Sequence, residues 1–336
     1  MKRPANSFSC VLVTARFFDD KAASILRTAG LTVVTGGVAH DAVDAVITED
    51  MHDALSRCSA WIMGMPPVTA DLLARYPNLS VMARRGVGYD TIDVAAVQAH
   101  RRLLTITPGS NEATVADHAV GLMLAVGRRY FESHRRMQAG EHGVLVGTEL
   151  SGKTVGLIGL GRIARLVARR LAGFDVRVIA HDPYLPDDVA DLEGVQLASL
   201  ETVLADSDFI SLHAPLTDST RHLIDQDALA RMKPNAILIN TARGELVDDG
   251  ALLAALQRGR LGGAGLDVIG SERDASLEAI TRELLTLPNV ICTQHTGGSS
   301  REGLERANMR AAQCVVAALQ GQPLPPDAIV VDGRSP

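Results

Sequence analysis

The stretch "VGLIGLGRIARLVARRLAGF", residues 155–174, decides how the rest of the chain is read. Its first four residues are apolar and read as a buried strand. Ile163, Leu166, Val167, Leu171 and Phe174 then recur at helical spacing and define one face of an amphipathic helix. Between strand and helix, Gly159, Gly161 and Ala164 fit the pattern G-x-G-x-x-G/A. Each small residue has its own task. The first allows a tight turn, the second lets a pyrophosphate approach the backbone, and the third lets helix and strand pack closely. Phosphates would meet the free N–H groups and the positive end of the helix dipole. About 20 residues on, where such a unit carries a ribose-binding acid, the next apolar run ends in "HDPY" and supplies Asp182. A 2′-phosphate would face that negative charge, and no arginine follows immediately. The unit therefore reads as an NAD site.

Outward from this turn the alternation continues. "DVRVIAHD", "SDFISLHAP", "NAILINTA", "GAGLDVI" and "NVICTQ" are strand-like, and most are separated by helix-like stretches. The first hundred residues show the same rhythm in "CVLVTA", "LTVVTGG", "AWIMGM", "LSVMAR" and "RLLTIT". Such alternation predicts two α/β blocks with doubly wound parallel sheets. One long helix is expected over 114–138, apolar in its first half and charged in its second, with Thr114 and Asp117 at capping-box spacing. Ser299 and Glu302 predict the cap of a final helix, and the Pro-rich tail after it is expected to run over the surface. "GTELSGKT" (147–154) matches the phosphate-loop pattern, but a strand follows it where that mechanism needs a helix. Lys153 therefore reads as a solvated residue at a strand entrance.

Composition removes several classes. The 336 residues are enough for roughly two domains. Apolar residues make up 46%, which supports a large core, whereas a net charge of −6 and 3% aromatics argue against a nucleic-acid partner. No apolar run approaches the roughly 20 residues of a membrane span. The N-terminus lacks the apolar segment of a secretory leader. The four cysteines show no metal-ligand spacing and read as apolar fillers in a reducing, cytoplasmic setting. No metal site is expected.

In an open parallel sheet, ligands bind beyond the carboxyl ends of the strands. There, three successive strands of the second block deliver Arg243, Glu272 and His295: a cation, a carboxylate and an imidazole.

"GLIGLGRIA", "HDPY", "NTARGELVDDGALLAALQRGRLGGAGLDV" and "TQHTGGSS" resemble the D-isomer-specific 2-hydroxyacid dehydrogenases, and "MARRGVGYDTIDVAAV" resembles that family's substrate loop. The resemblance covers nearly the whole chain. It implies a Rossmann NAD domain, 109–299, inserted into a flavodoxin-like substrate domain formed by 1–108 and 300–336. It implies that Arg243 binds the substrate carboxylate and keto oxygen, that His295 is the acid/base, and that Glu272 orients the imidazole. NAD would be held by Gly159, Gly161, Arg162, Ile163, Asp182, His213, Ala214, Pro215, Thr241, Ala242 and Gly298, with Asp267 on the nicotinamide carboxamide. The substrate would meet Arg84, Arg85, Val87 and Gly88. Arg84 and "TPGSNEATVADHA" are similar to the D-3-phosphoglycerate dehydrogenases, which implies a phosphate-bearing or otherwise dianionic 2-hydroxy acid. The alternatives are glyoxylate or hydroxypyruvate reduction and, in a different class, an NAD-sensing corepressor. A homodimer through the NAD domain is also implied. Two positions depart from the family pattern: Arg273 and Gln294 stand where prolines are usual, bordering Glu272 and His295.

Overall fold

The computed structural model describes residues 10–36, 47–185 and 194–334. Residues 1–9, on which the expectation about a leader rests, lie outside them. The chain divides into two compact units, Met1–Asn111 with Ser299–Pro336, and Glu112–Gly298.

The first unit runs β1 (Cys10–Val13), α1 (Asp20–Thr28), β2 (Thr32–Thr35), α2 (Glu49–Arg57), β3 (Ala60–Met63), α3 (Ala70–Arg75), β4 (Val81–Arg84), α4 (Val94–Ala99) and β5 (Leu103–Thr105). The parallel strands lie in the order β2-β1-β3-β4-β5, the flavodoxin-like doubly wound arrangement. β1, β3 and β4 are almost wholly buried because helices cover both faces.

The second unit begins with α5 (Glu112–Gly127) and α6 (Tyr130–Gln138). It continues as β6 (Thr154–Ile158), α7 (Arg162–Leu171), β7 (Arg177–His181), β8 (Val195–Leu197), α8 (Leu200–Asp206), β9 (Phe209–Leu212), α9 (Gln226–Arg231), β10 (Ile237–Asn240), α10 (Asp249–Gln257), β11 (Gly263–Leu266), α11 (Glu278–Thr286) and β12 (Val290–Cys292). The sheet order is β12-β11-β10-β9-β6-β7-β8, parallel throughout. Counted from β6, this is the Rossmann order, with its reversal between β6 and β9. On α7, Val167 and Leu171 are fully buried, each worth about 1.5–3 kcal/mol, and Ile163, Leu166 and Phe174 pack partly buried against the same core. α12 (Arg301–Gln320) and β13 (Ile329–Asp332) return to the first unit, where Ala311, Ala312 and Val315 fill its core.

Five expectations are corrected. The helix over 114–138 is two helices, broken at Arg129, which adopts a left-handed φ of 54°. The Gly127 carbonyl accepts the Thr148 N–H at 2.8 Å, using an acceptor that a continuous helix would give to Phe131. Thr114 lies inside α5, which starts at Glu112, and does not cap it. The final helix is capped by Ser300, whose hydroxyl accepts the Gly303 N–H at 2.9 Å, one residue later than the Ser299–Glu302 spacing suggested. The tail does not simply cross the surface. β13 pairs antiparallel with β5 at the sheet edge, since its prolines precede the strand and leave "IVVD" able to donate. Cys10 and Cys58, read as separate fillers, are joined in a disulfide with Cα atoms 4.5 Å apart. The Ser59 N–H bonds the Cys10 carbonyl and brings them together across 48 residues.

Thr154 opens β6 directly after Lys153, so no helix follows the phosphate-loop pattern. Among the described residues no helix is long and apolar enough to cross a membrane.

Candidate active site

The site is assembled at the carboxyl ends of the second unit's strands. Gly159 follows β6 with φ +89°, and a Cβ there would lie 2.8 Å from the Ala214 nitrogen. Only glycine permits both the left-handed turn and the close passage of the His213–Ala214 chain. Gly161 is the N-cap of α7 and supplies no side-chain cap, and a Cβ added to it would meet nothing within 4 Å. Arg162 and Ile163 form the first turn of α7; the Arg162 guanidinium is 3.9 Å from the Glu112 carboxylate. Asp182 follows β7, and its carboxylate accepts the N–H groups of Leu160 at 2.9 Å and Tyr184 at 3.0 Å. It thus braces the glycine turn from the next strand, a second task beside the ribose contact that the resemblance implies.

His213, Ala214 and Pro215 follow β9, and Thr241 and Ala242 follow β10. His213 Nε2 and Thr241 Oγ1 are buried without a protein partner. Residue His213 as a whole is partly exposed, but its ring nitrogen is closed off, and burial pushes its pKa down to about 4. Uncapped amides, an open backbone at Gly161 and unpaired polar atoms along one rim fit a dinucleotide.

The next three strand ends carry the polar triad. Asn240, the buried last residue of β10, accepts the Ala242 N–H at 3.0 Å and donates to the Arg243 carbonyl at 2.7 Å. This side chain folds the turn that presents Arg243. Glu272 ends a short 3-10 turn, Gly270–Glu272. One of its oxygens accepts its own Ile269 N–H at 3.2 Å, and the other lies 2.9 Å from His295 Nδ1. His295 itself has a left-handed φ of 51°. Its side chain is 41% exposed and that of Glu272 34%, so the pair is open to a reactant. Among the described residues, His295 Nε2 has no hydrogen-bond partner, and it is the free end of the dyad.

Asp267, directly after β11, holds the histidine loop. Its main-chain carbonyl accepts the His295 N–H at 2.9 Å. Its carboxylate accepts Thr293 Oγ1 at 2.6 Å and the N–H groups of Thr296 and Gly297, both at 2.8 Å. His118 Nε2 from α5 lies 3.3 Å away. Burial pushes the Asp267 carboxyl up, but His118, Thr293, Gly297 and Thr296 outweigh it and hold the pKa below the usual range. Gly298 closes the loop. Cys292, at the end of β12, is no nucleophile, since burial, with Asp249 adding to it, pushes its thiol up to about 12.

The first unit holds Arg84, Arg85, Val87 and Gly88. Arg84 ends β4 and donates to the Gly88 carbonyl at 3.0 Å, to Met65 Sδ at 2.8 Å and to the Arg85 carbonyl. Arg85 donates to the Arg16 carbonyl at 2.6 Å.

Sequence reasoning missed Asn240, His118 and Thr293. A buried asparagine closing an apolar strand was a visible signal for the first. Nothing local marked the other two, whose partners are more than a hundred residues away in one case.

Residues 120–297 match the model of the D-isomer specific 2-hydroxyacid dehydrogenase NAD binding domain. The chain is 43% identical over 268 residues to the D-3-phosphoglycerate dehydrogenase of Mycobacterium leprae, covering 79% of this chain and 50% of that protein. It therefore spans about half the length of that relative. It is 41% identical over 254 residues to the hydroxypyruvate reductase of Thermotoga maritima, covering 75% and 81%. A solved NAD-dependent formate dehydrogenase from Staphylococcus aureus, in complex with NAD, superposes with a TM-score of 0.81 at 29% identity, covering 96% of this chain and 98% of that one.

Proposed function

Because the chain belongs to the D-isomer specific 2-hydroxyacid dehydrogenase family, we propose that it is an NAD-dependent oxidoreductase interconverting a small 2-keto acid and its D-2-hydroxy acid. The observation that carries this reading is the 2.9 Å contact between His295 Nδ1 and Glu272, at the carboxyl ends of the same parallel sheet whose β6 leads into the glycine turn. When bound, NAD supplies or accepts the hydride. The protein's own residues do the rest. His295 Nε2 delivers a proton to the carbonyl oxygen in reduction and takes the hydroxyl proton in oxidation. Glu272 holds the ring so that Nδ1 faces the carboxylate and Nε2 faces the substrate. Arg243 binds the substrate carboxylate with two parallel N–H donors. Gly159, Gly161, Arg162, Ile163, Asp182, His213, Ala214, Pro215, Thr241, Ala242 and Gly298 hold the dinucleotide.

The substrate reading has two forms. A second anionic group, such as a phosphate, would be met by Arg84 and Arg85 with the main chain at Val87 and Gly88; the likeness to D-3-phosphoglycerate dehydrogenase supports this form. A compact acid, hydroxypyruvate or glyoxylate, is supported by the bonds that turn Arg84 back onto Gly88 and Met65. Steady-state reduction of 3-phosphohydroxypyruvate, hydroxypyruvate and glyoxylate with NADH tests both. A kcat/KM at least tenfold higher for the phosphorylated acid selects the first; equal or lower values select the second; no turnover of any 2-keto acid overturns the function.

The protein acts as a homodimer through the second unit. Tyr130, Phe131 and Met137 on α6 and Val144 and Val146 beyond it are exposed, Val144 by 91%, and are the apolar side chains that a second copy would cover. A monomeric mass in solution would refute the dimer.

A further inference from the structure

We infer that Arg273 is a positioning residue for the Glu272–His295 pair, acting through an ion pair with Glu245; this rests on the function proposed above. Two loops of the second unit meet at this point. One follows β10 and carries Arg243; the other follows β11 and carries Glu272. They touch at Gly244, where a Cβ would lie 2.3 Å from the Ile269 carbonyl carbon. Beyond that contact, the turn bearing Glu272 is fastened at both ends. At its start, the Gly270 N–H donates to the buried Asp249 carboxylate at 2.9 Å. At its finish, Arg273 Nη1 lies 3.4 Å from Glu245 Oε1. Glu245 belongs to the loop that carries Arg243 and Asp249 opens α10 at its end, so the two fastenings fix the Glu272 turn against the arginine's own loop and the helix after it.

The second fastening controls what the first cannot. Among the described residues, the Glu272 carboxylate is bonded only to the Ile269 N–H of its own turn and to His295. Neither is a hydrogen bond to the Arg243 loop, which meets this turn by packing at Gly244. Gly270 and the Ser271 hydroxyl, which accepts Thr281 Oγ1 at 2.8 Å, hold the start and middle of the turn, but its end can still pivot, moving the Glu272 carboxylate away from the imidazole that Asp267 holds on a separate loop. The Arg273–Glu245 pair removes that pivot. Its side chains are only 29% and 14% exposed, so the link is shielded from the bulk solvent that weakens surface pairs. In the family pattern this position is a proline, which stiffens the backbone by its ring. Here an arginine achieves a comparable restraint by reaching across to the neighbouring loop.

The test uses the full chain and measures kcat and KM with NADH and hydroxypyruvate or glyoxylate, NADH binding by fluorescence, and Tm. Arg273→Ala and Glu245→Gln each lower kcat about tenfold, a loss expected of a small misplacement of reacting groups, while the NADH dissociation constant stays within twofold. The double variant is no worse than either single one, and Arg273→Lys recovers at least a third of the wild-type kcat. Wild-type kcat in Arg273→Ala overturns the inference. So do losses that multiply in the double variant, and so does a fall in kcat matched by loss of NADH binding and of Tm in every variant. If Arg273→Ala does not fold, Glu245→Gln and Arg273→Lys decide by the same criteria. A wild-type protein inactive on every 2-keto acid overturns the function itself, whereas an active wild type with equally active variants overturns only the positioning role.

Discussion

The carboxylate of Asp267 accepts the main-chain N–H of Gly297 at 2.8 Å, tying the end of β11 to a loop thirty residues further along the chain. Both oxygens are used, by Thr293, Thr296 and Gly297, within a buried site. In Asp267→Asn, an amide –NH2 must face one of these N–H donors. The variant is expected to lose about 2 kcal/mol, the scale of a hydrogen bond to a charged group, together with most of its kcat. Urea unfolding and steady-state assays check this; an unchanged denaturation midpoint would refute the bracing role.

His295→Ala removes the proton donor and leaves the glycine turn untouched. kcat with a 2-keto acid should fall about a thousandfold, within the usual range for general acid–base catalysis, while NADH binding followed by fluorescence stays within threefold. Retained turnover would remove His295 from the chemistry.

Arg243→Lys keeps the charge but loses the planar fork that grips a carboxylate at two points. A loss of about 2 kcal/mol in transition-state binding, roughly 30-fold in kcat/KM, is expected. The keto-acid KM should carry part of it and the NADH KM should not move. A lysine variant equal to wild type would argue for a simple point-charge role.

Asp182→Ser withdraws a carboxylate that both braces Leu160 and would repel a 2′-phosphate. The NADPH-to-NADH ratio of kcat/KM should rise about tenfold, chiefly through weaker NADH binding. A ratio that stays put would show that Asp182 serves the turn alone.

Stability should weaken in acid in two steps. His213 has its pKa lowered from 6.5 to about 4 by burial, so the unfolded chain binds a proton that the folded one refuses. Its contribution is complete above pH 6.5 and is lost as the pH falls to about 4, an order of 3 kcal/mol at about 1.4 kcal/mol per unit. Asp267 is depressed, so its contribution is present above the free carboxyl value near 3.9 and is lost only below that, as the pH falls through its folded value. Urea midpoints measured from pH 8 to pH 3 should therefore begin to fall near pH 6.5. In His213→Asn the first step should disappear.

Much of the fold was legible because its signals are local. A glycine turn, an apolar strand and the helix after it lie within residues 155–174, and their conformations depend on near neighbours. The two-block alternation and its parallel sheets were readable for the same reason, and so were the positions of Arg243, Glu272 and His295 at strand ends. The helix break was not: nothing within 114–138 reveals that Thr148 takes the Gly127 carbonyl. The pairing of β13 with β5 depends likewise on an edge more than two hundred residues earlier.

By itself, then, the sequence determined most of the elements, their order, and which residues follow the strands at the site, because hydrophobic period and turn chemistry are properties of contiguous residues. Only the tertiary structure decided that Asp267 would hold the histidine loop and that His118 would back it from α5. It also decided that Arg273 would reach Glu245 and that Cys10 would meet Cys58. These pairings follow from how buried strands and helices pack side by side, and a linear chain carries no period that records which distant side chains packing will bring within 4 Å.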